Sequence, residues 1–235
     1  MDLSIVIPIW NEESKIGADI LNIDSFFRKS ALKIELIVVD DGSSDNSLLI
    51  IQKALQNVSI ESNSLAFKHK GKGHAVGQGM LASKGNIVMF MDCGGNVPLS
   101  FINKGMEILR EKDADIILGS RFNKLSKITY DRSWFRKIAS TLFRKMVHKL
   151  LNLPPEISDT QCGFKLFKGE LAREIFADLK LDGFLFDLEM ILLAKVKGYN
   201  LREMPVEWHC DRDSRLSVPG ALFPVLRDLF YLRKI

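Results

Sequence analysis

Acidic and basic residues gather where short apolar runs stop. Asp40 and Asp41 close a β-branched run and lead into Gly42 and Ser43. Two carboxylates at a strand end can accept hydrogen bonds from a base and a ribose. They can equally belong to the cap of a following helix, beside Ser44 or Asp45. Lys70-Gly71-Lys72-Gly73 joins cations to glycines that let backbone approach an anion. It lacks the spacing of a nucleoside triphosphate P-loop, and an exposed basic turn is the plain alternative. Asp92 ends another buried run, where a carboxylate can hold a divalent cation that bridges phosphates. Asp187 and Glu189 fall in one predicted first helical turn. There they can bind sugar hydroxyls or act as a base, or simply answer the helix dipole. His69, His74, His148 and His209 have no metal-ligand spacing and read as structural or exposed.

These groups need a scaffold, and the apolar pattern supplies one. Residues 3–9 read as a buried strand that ends at Pro8 and a polar turn, followed by a helix over 14–28. A strand over 34–39 precedes a helix reaching about 56. Further strands are expected over 64–67, 86–91 and 115–119. Helices are expected over 74–83 and from a first turn containing Pro98 to about 112. The alternation predicts βαβ units, a parallel sheet and right-handed crossovers. Ligands of such sheets bind beyond the carboxyl ends of the strands. Polar clusters at 10–13, 40–43, 92–96 and 120–121 fall on that edge.

Past Asp131 the pattern changes. Trp134, Phe135, Ile138, Leu142, Phe143, Met146, Val147, Leu150 and Leu151 repeat at helical spacing. Arg132, Arg136, Lys137, Arg144, Lys145 and Lys149 share the segment with no acidic residue. Such a helix packs on a core with a solvated basic face, or lies on an anionic membrane. A polar loop over 159–163, a strand over 164–167, helices over 170–177 and 186–197, and an alternating strand over 201–208 follow. The tail from Pro219 repeats Leu222, Phe223, Leu226, Leu229 and Phe230.

The 235 residues carry a net charge of +4 and 46% hydrophobic residues, ordinary for a globular chain with a substantial core. Cys93, Cys162 and Cys210 are odd in number and widely spaced, which points to a reducing compartment. No apolar run reaches the ~18 residues of a membrane span, and no signal peptide is expected.

Together the motifs resemble the inverting glycosyltransferases of family 2. Ile5-Val-Ile-Pro-Ile-Trp-Asn-Glu-Glu13 is similar to their opening strand and turn, with Trp10 where tyrosine is usual. Val38-Val-Asp-Asp-Gly-Ser-Ser-Asp45 resembles their nucleotide-binding turn, and Gly71-Lys-Gly-His-Ala75 their basic loop. Asp159-Thr-Gln-Cys-Gly-Phe-Lys-Leu-Phe167 and Phe186-Asp-Leu-Glu189 resemble the dolichyl- or polyprenyl-phosphate sugar transferases, the glucosyl branch most. The resemblance implies an α/β fold of GT-A (Rossmann-like) type, a mostly parallel sheet flanked by helices, with C-terminal amphipathic helices. Residues 1–210 would form that domain, and 211–235 a loop and amphipathic helix that can touch a membrane.

It also implies roles. Asp40 and Asp41 would bind the nucleoside, with Pro8, Trp10 and Glu12 nearby. Lys72 and Gly73 would sit by the donor. Arg121 would hold phosphate or acceptor, and Arg132 and Arg136 would line the acceptor side. Asp159, Gln161, Asp187 and Glu189 would shape the sugar and acceptor pocket. Arg212 and Arg215 would close over the donor. Asp92 and Asn96 would hold Mg²⁺ or Mn²⁺. The family writes that metal motif Asp-x-Asp, whereas here Gly94 replaces the second carboxylate and Asn96 offers only a neutral oxygen. The metal then binds weakly, recruits another ligand, or gives way to Arg and Lys.

The expected activity is transfer of glucose from UDP-glucose to a polyprenyl or dolichyl phosphate. The expected location is peripheral, on the cytoplasmic membrane face, with no nucleic-acid partner. A hydroxyl acceptor, with Asp159 or Asp187 as base, and a non-catalytic nucleotide-sugar-binding domain are the alternatives.

Overall fold

Seven strands form one sheet in the order β3-β2-β1-β4-β7-β5-β8. Their spans are β1 Leu3–Ile9, β2 Ile34–Asp40, β3 Glu61–Ala66, β4 Ile87–Met91, β5 Ile116–Ser120, β7 Phe164–Lys168 and β8 Leu201–Pro205. A two-stranded parallel ladder of β6 Lys127–Ile128 and β9 Glu207–Trp208 stands apart. The structure, a computed structural model, describes residues 1–111, 114–129, 134–209 and 218–235, without the side chains of 134–139 and 218–223.

β1, β2 and β4 are buried along their whole length. Their alternate side chains go to opposite faces. Leu3, Ile5, Ile7 and Ile9 meet α1 (Ile16–Phe27), α2 (Ser47–Leu55) and α4 (Ser100–Arg110) in one apolar cluster. Val6, Ile37, Val39, Val88 and Phe90 face α3 (Lys72–Ala82), α6 (Gly169–Asp178) and α7 (Phe186–Val196) in the other. The result is a three-layer α/β domain.

Several elements depart from the sequence expectation. The sheet is mostly parallel, as the resemblance implies, but the position of its exception was not foreseen: β7 runs antiparallel to both neighbours, β4 and β5. Pro98 lies before α4, not in its first turn. α2 starts at Ser47 with Asn46 at the cap, although Asp45 Oδ1 still accepts the Ser47 N–H at 2.9 Å. The expected strand over 201–208 breaks at Val206, where its second half leaves the sheet to pair with β6.

α5 (Trp134–Leu151) buries Val147 and Leu151 but leaves Leu142 63%, Met146 44% and Leu150 36% exposed. These three share one stripe by their i, i+4 spacing. Lys145 and Lys149 are exposed on the same helix. α8 (Val218–Leu232) buries Leu229 and Leu232 while Leu226 and Phe230 face out. No helix among the described residues is long and apolar enough to cross a membrane.

Candidate functional site

The strand order reverses at β1, with β2 on one side and β4 on the other, and crossovers diverge there to leave a crevice. A cleft of about 280 Å³ opens at this point, lined by Pro8, Trp10, Glu12, Asp41, His69, Lys72, Asp92 and Asn96 among others. Pro8 and Trp10 come from the end of β1, Asp41 from the end of β2, and Asp92 from the end of β4. Seven of the residues expected at the donor or metal site thus share one cleft.

The turns after β1 and β2 are stitched together. Asn11 Oδ1 accepts the Ser44 N–H at 2.7 Å, and the Glu12 N–H donates to Ser47 Oγ at 2.8 Å. Asp40 is spent within its own turn, accepting from the N–H and hydroxyl of Ser43, and it does not line the cleft. Asp41 is also buried. Its carboxylate accepts the N–H groups of Lys70 and Gly71 at 3.0 and 2.8 Å, and lies 2.7 Å from His69 Nδ1. It therefore braces the basic loop that leads into α3. Gly73 is packed rather than open: a Cβ there would lie 2.4 Å from the Leu181 carbonyl.

Trp10 is 41% exposed at the mouth of the cleft and stacks on His69, with ring centroids 4.6 Å apart. His69 was expected to be structural or exposed; it is half-exposed and lines the cleft. An indole and an imidazole side by side make an aromatic platform for a flat ring.

The floor is ionic. Lys72, at the start of α3, places Nζ 2.6 Å from Asp92 Oδ1. Beneath it Lys165, fully buried near the start of β7, is bonded to Asp187 and to the Cys162 carbonyl at 2.8 Å. Its ammonium lies 5.2 Å from the Phe90 ring. Burial opposes the charge on Lys72, but Asp92 and then Asp187 outweigh it and raise its pKa. Burial raises the pKa of Asp187 against the pull of Lys165 and Lys72. The four groups alternate in sign and share one field.

Asp92 is held from both sides. Its N–H donates to the Gly163 carbonyl at 2.8 Å, and its carboxylate lies against the Cα of Gly163, where a Cβ would fall 2.0 Å from Oδ2. Only glycine permits that approach.

A second group lies at the ends of β5 and β7. Arg121 grips Asp159 with two side-chain bonds, Nε to Oδ2 at 2.7 Å and Nη2 to Oδ1 at 2.8 Å. Burial disfavours both charges, yet the pair raises the pKa of Arg121 and lowers that of Asp159. Arg121 lies 5.7 Å from the Phe122 ring and 5.5 Å from Trp208; Arg144 of α5 stacks on Phe122 at 3.6 Å. The side-chain amide of Gln161 is buried without a hydrogen-bond partner.

Glu189 does not join either group. It accepts the N–H groups of Lys180 and Leu181 and the Tyr231 hydroxyl at 2.9 Å, tying α8 to the loop before α7. Arg132, Arg212 and Arg215 lie outside the described residues, as does the side chain of Arg136 on α5. Lys165 and Gly163 escaped the sequence reading. A lysine inside the apolar strand Phe164-Lys165-Leu166-Phe167 was the available signal.

The glycosyl transferase family 2 model matches residues 4–176. Dolichyl-phosphate beta-glucosyltransferase of Drosophila melanogaster is 30% identical over 244 residues, covering 99% of this chain and 74% of that protein. The Dictyostelium discoideum and Homo sapiens proteins of the same name are each 29% identical over 243 residues and 98% of this chain. They are covered to 73% and 74% of their own lengths. Among solved structures, Mycobacterium tuberculosis glucosyl-3-phosphoglycerate synthase with Mn²⁺, UDP and glucosyl-3-phosphoglycerate has a TM-score of 0.73 at 17% identity. The match covers 99% of this chain and 79% of that one, and shows a shared fold.

Proposed function

This chain belongs to glycosyl transferase family 2 and is a glycosyltransferase, and on that premise we propose that it moves glucose from UDP-glucose to a polyprenyl or dolichyl phosphate at the cytoplasmic face of a membrane. The observation that carries the proposal is the cleft itself. An aromatic platform at its mouth and an ammonium on its floor suit a base and a diphosphate, in a chain similar over nearly its whole length to glucosyltransferases of lipid phosphate.

Trp10 and His69 would receive the uracil ring, with Asp41 fixing the loop beneath. Lys72 would meet the diphosphate, stabilising the charge that develops on it as the sugar departs. The lipid phosphate attacks the anomeric carbon from the face opposite the diphosphate. The new bond joins that carbon to a phosphate oxygen, the old bond to UDP breaks, and UDP leaves with the electron pair. Configuration inverts. A phosphate is already ionised near neutral pH and needs no strong base.

That last point separates the acceptors. A hydroxyl acceptor calls for a base, and the two carboxylates best placed by sequence are otherwise engaged: Asp159 by Arg121, Asp187 by Lys165. The cationic, aromatic corner of Arg121, Arg144, Phe122 and Trp208 suits a phosphate on a lipid. The stripe Leu142, Met146 and Leu150, with Lys145 and Lys149 exposed beside it, would rest on the anionic surface.

The test is a transfer screen with UDP-glucose and GDP-mannose as donors, against polyprenyl phosphate in anionic vesicles and soluble sugars as acceptors. Glucosyl transfer to the lipid phosphate is expected. Transfer to a soluble hydroxyl, with none to lipid, would overturn the acceptor assignment; no transfer of any kind would favour a binding domain.

A further inference from the structure

Divalent Mn²⁺ accompanies UDP in the M. tuberculosis synthase structure. The residues here do not suit such an ion. Asp92 is the one carboxylate kept from the Asp-x-Asp motif, and the Lys72 ammonium is bonded to it at 2.6 Å. Gly94, where the second carboxylate would stand, has φ 102°, a backbone conformation that residues bearing a Cβ rarely adopt. Its N–H donates to Asp19 Oδ2 at 2.6 Å, which fixes the loop in that shape from the side of α1. Asn96 contributes a neutral amide, whose Nδ2 donates to the Cys93 carbonyl at 3.4 Å. Among the described residues no three His, Cys, Asp or Glu side chains gather to hold a metal ion.

We infer that Lys72 takes the place of the divalent cation in this chain, so that a nucleoside diphosphate binds without metal. The inference rests on the cleft being the donor site. A hard cation at a nucleotide wants one or two free carboxylates beside the phosphates. Of the motif one carboxylate remains, Asp92, and an ammonium already occupies it. The same arrangement works without a metal. Lys72 is an i, i+3 member of no acidic partner on its own helix; its counter-ion is Asp92 across the cleft, so the ammonium is drawn to the floor rather than into solvent. The start of α3 brings the positive end of a helix dipole to the same place. Asp92 then acts as a positioning residue, aiming Nζ at the diphosphate, and Gly163 gives Asp92 the room to do so.

The experiment is calorimetric titration of UDP into the wild-type chain and Lys72→Met, each in EDTA and in Mn²⁺, with thermal melting to check that the variant is folded. The wild-type Kd is expected to differ by less than about threefold between buffers. Lys72→Met is expected to weaken UDP in EDTA by about tenfold or more, the size of a lost hydrogen bond between charged groups. Wild-type binding that needs Mn²⁺ overturns the inference and leaves the donor site standing. Absence of UDP binding in both buffers sinks the donor site and the inference with it. Lys72→Met binding UDP in EDTA as tightly as wild type also overturns it, and the wild-type comparison alone decides if the variant does not fold.

Discussion

Replacing Asp187 with alanine removes the only side-chain counter-ion that, among the described residues, is bonded to a fully buried ammonium. Lys165 has no solvent exposure, and its remaining bonded partner would be the Cys162 carbonyl at 2.8 Å. The Phe90 ring at 5.2 Å offers a weak quadrupole in place of a full charge. Breaking a buried pair from one side costs ~3–5 kcal/mol, because an uncompensated charge remains. At ~2–4 °C per kcal/mol for a chain of this size, the melting temperature should fall by ~6–20 °C. Scanning calorimetry, with urea unfolding as a check, reads this directly. The double replacement Lys165→Met with Asp187→Leu removes both charges and should recover most of the loss, since a buried pair is often no better than an apolar substitute. An Asp187→Ala loss under ~1 kcal/mol, or a double variant as unstable as the single, would refute the view that this pair is a closed, coupled unit.

Gly163→Ala should keep the fold yet reduce transfer by about tenfold or more, because the new Cβ falls 2.0 Å from Asp92 Oδ2 and must displace it; steady-state kinetics beside a melting curve checks both halves. Acid stability should depend on Asp24 and Asp159. Burial opposes ionisation of each, but Arg28 and the Ser59 and Ile60 N–H groups hold the Asp24 carboxyl far below the usual range, and Arg121 lowers that of Asp159. A lowered folded pKa gives stability that is present above the unfolded value of 3.8 and lost as pH falls through the folded one. Urea midpoints measured from pH 5 to pH 2 should therefore drop steadily, and less steeply in Asp24→Asn. Changing Leu142, Met146 and Leu150 together to glutamine should abolish flotation with anionic vesicles while leaving the melting temperature within a few degrees, about what exposed positions cost.

The half that forms the cleft was readable because its signals are local. β1, β2 and β4 are short apolar runs that end in polar turns, and those ends face the cleft. The second half was less so. β7 reads as an ordinary apolar strand, and nothing within its five residues says that it inserts antiparallel between β4 and β5. That direction is set by distant partners. The same holds for side chains: Asp41 was legible as a strand-end carboxylate, but its use as a brace for Lys70 and Gly71 needs the fold that brings those loops together. Glu189 looked like a partner for substrate and proved to be the anchor of two N–H groups and Tyr231. Lys165 is the opposite case, a charge that its sequence neighbours make improbable and that Asp187, 22 residues away, and the Cys162 carbonyl make tolerable.

β7 is also a seam along which the two halves can diverge. The family match stops at residue 176, inside α6, so β7 is the last strand within it. α7, β8 and α8 lie beyond. β8 joins the sheet through β5, on the same side of β7, and α7 reaches β7 itself through Asp187 on Lys165. The ladder Met91–Phe164 that sets Asp92 against Gly163 lies within the matched span, but Asp187 and the Leu181 carbonyl bring the outer part onto Lys72 and Gly73 at the floor of the cleft. A chain built this way can drift in its outer helices only as far as the charged floor of the cleft allows.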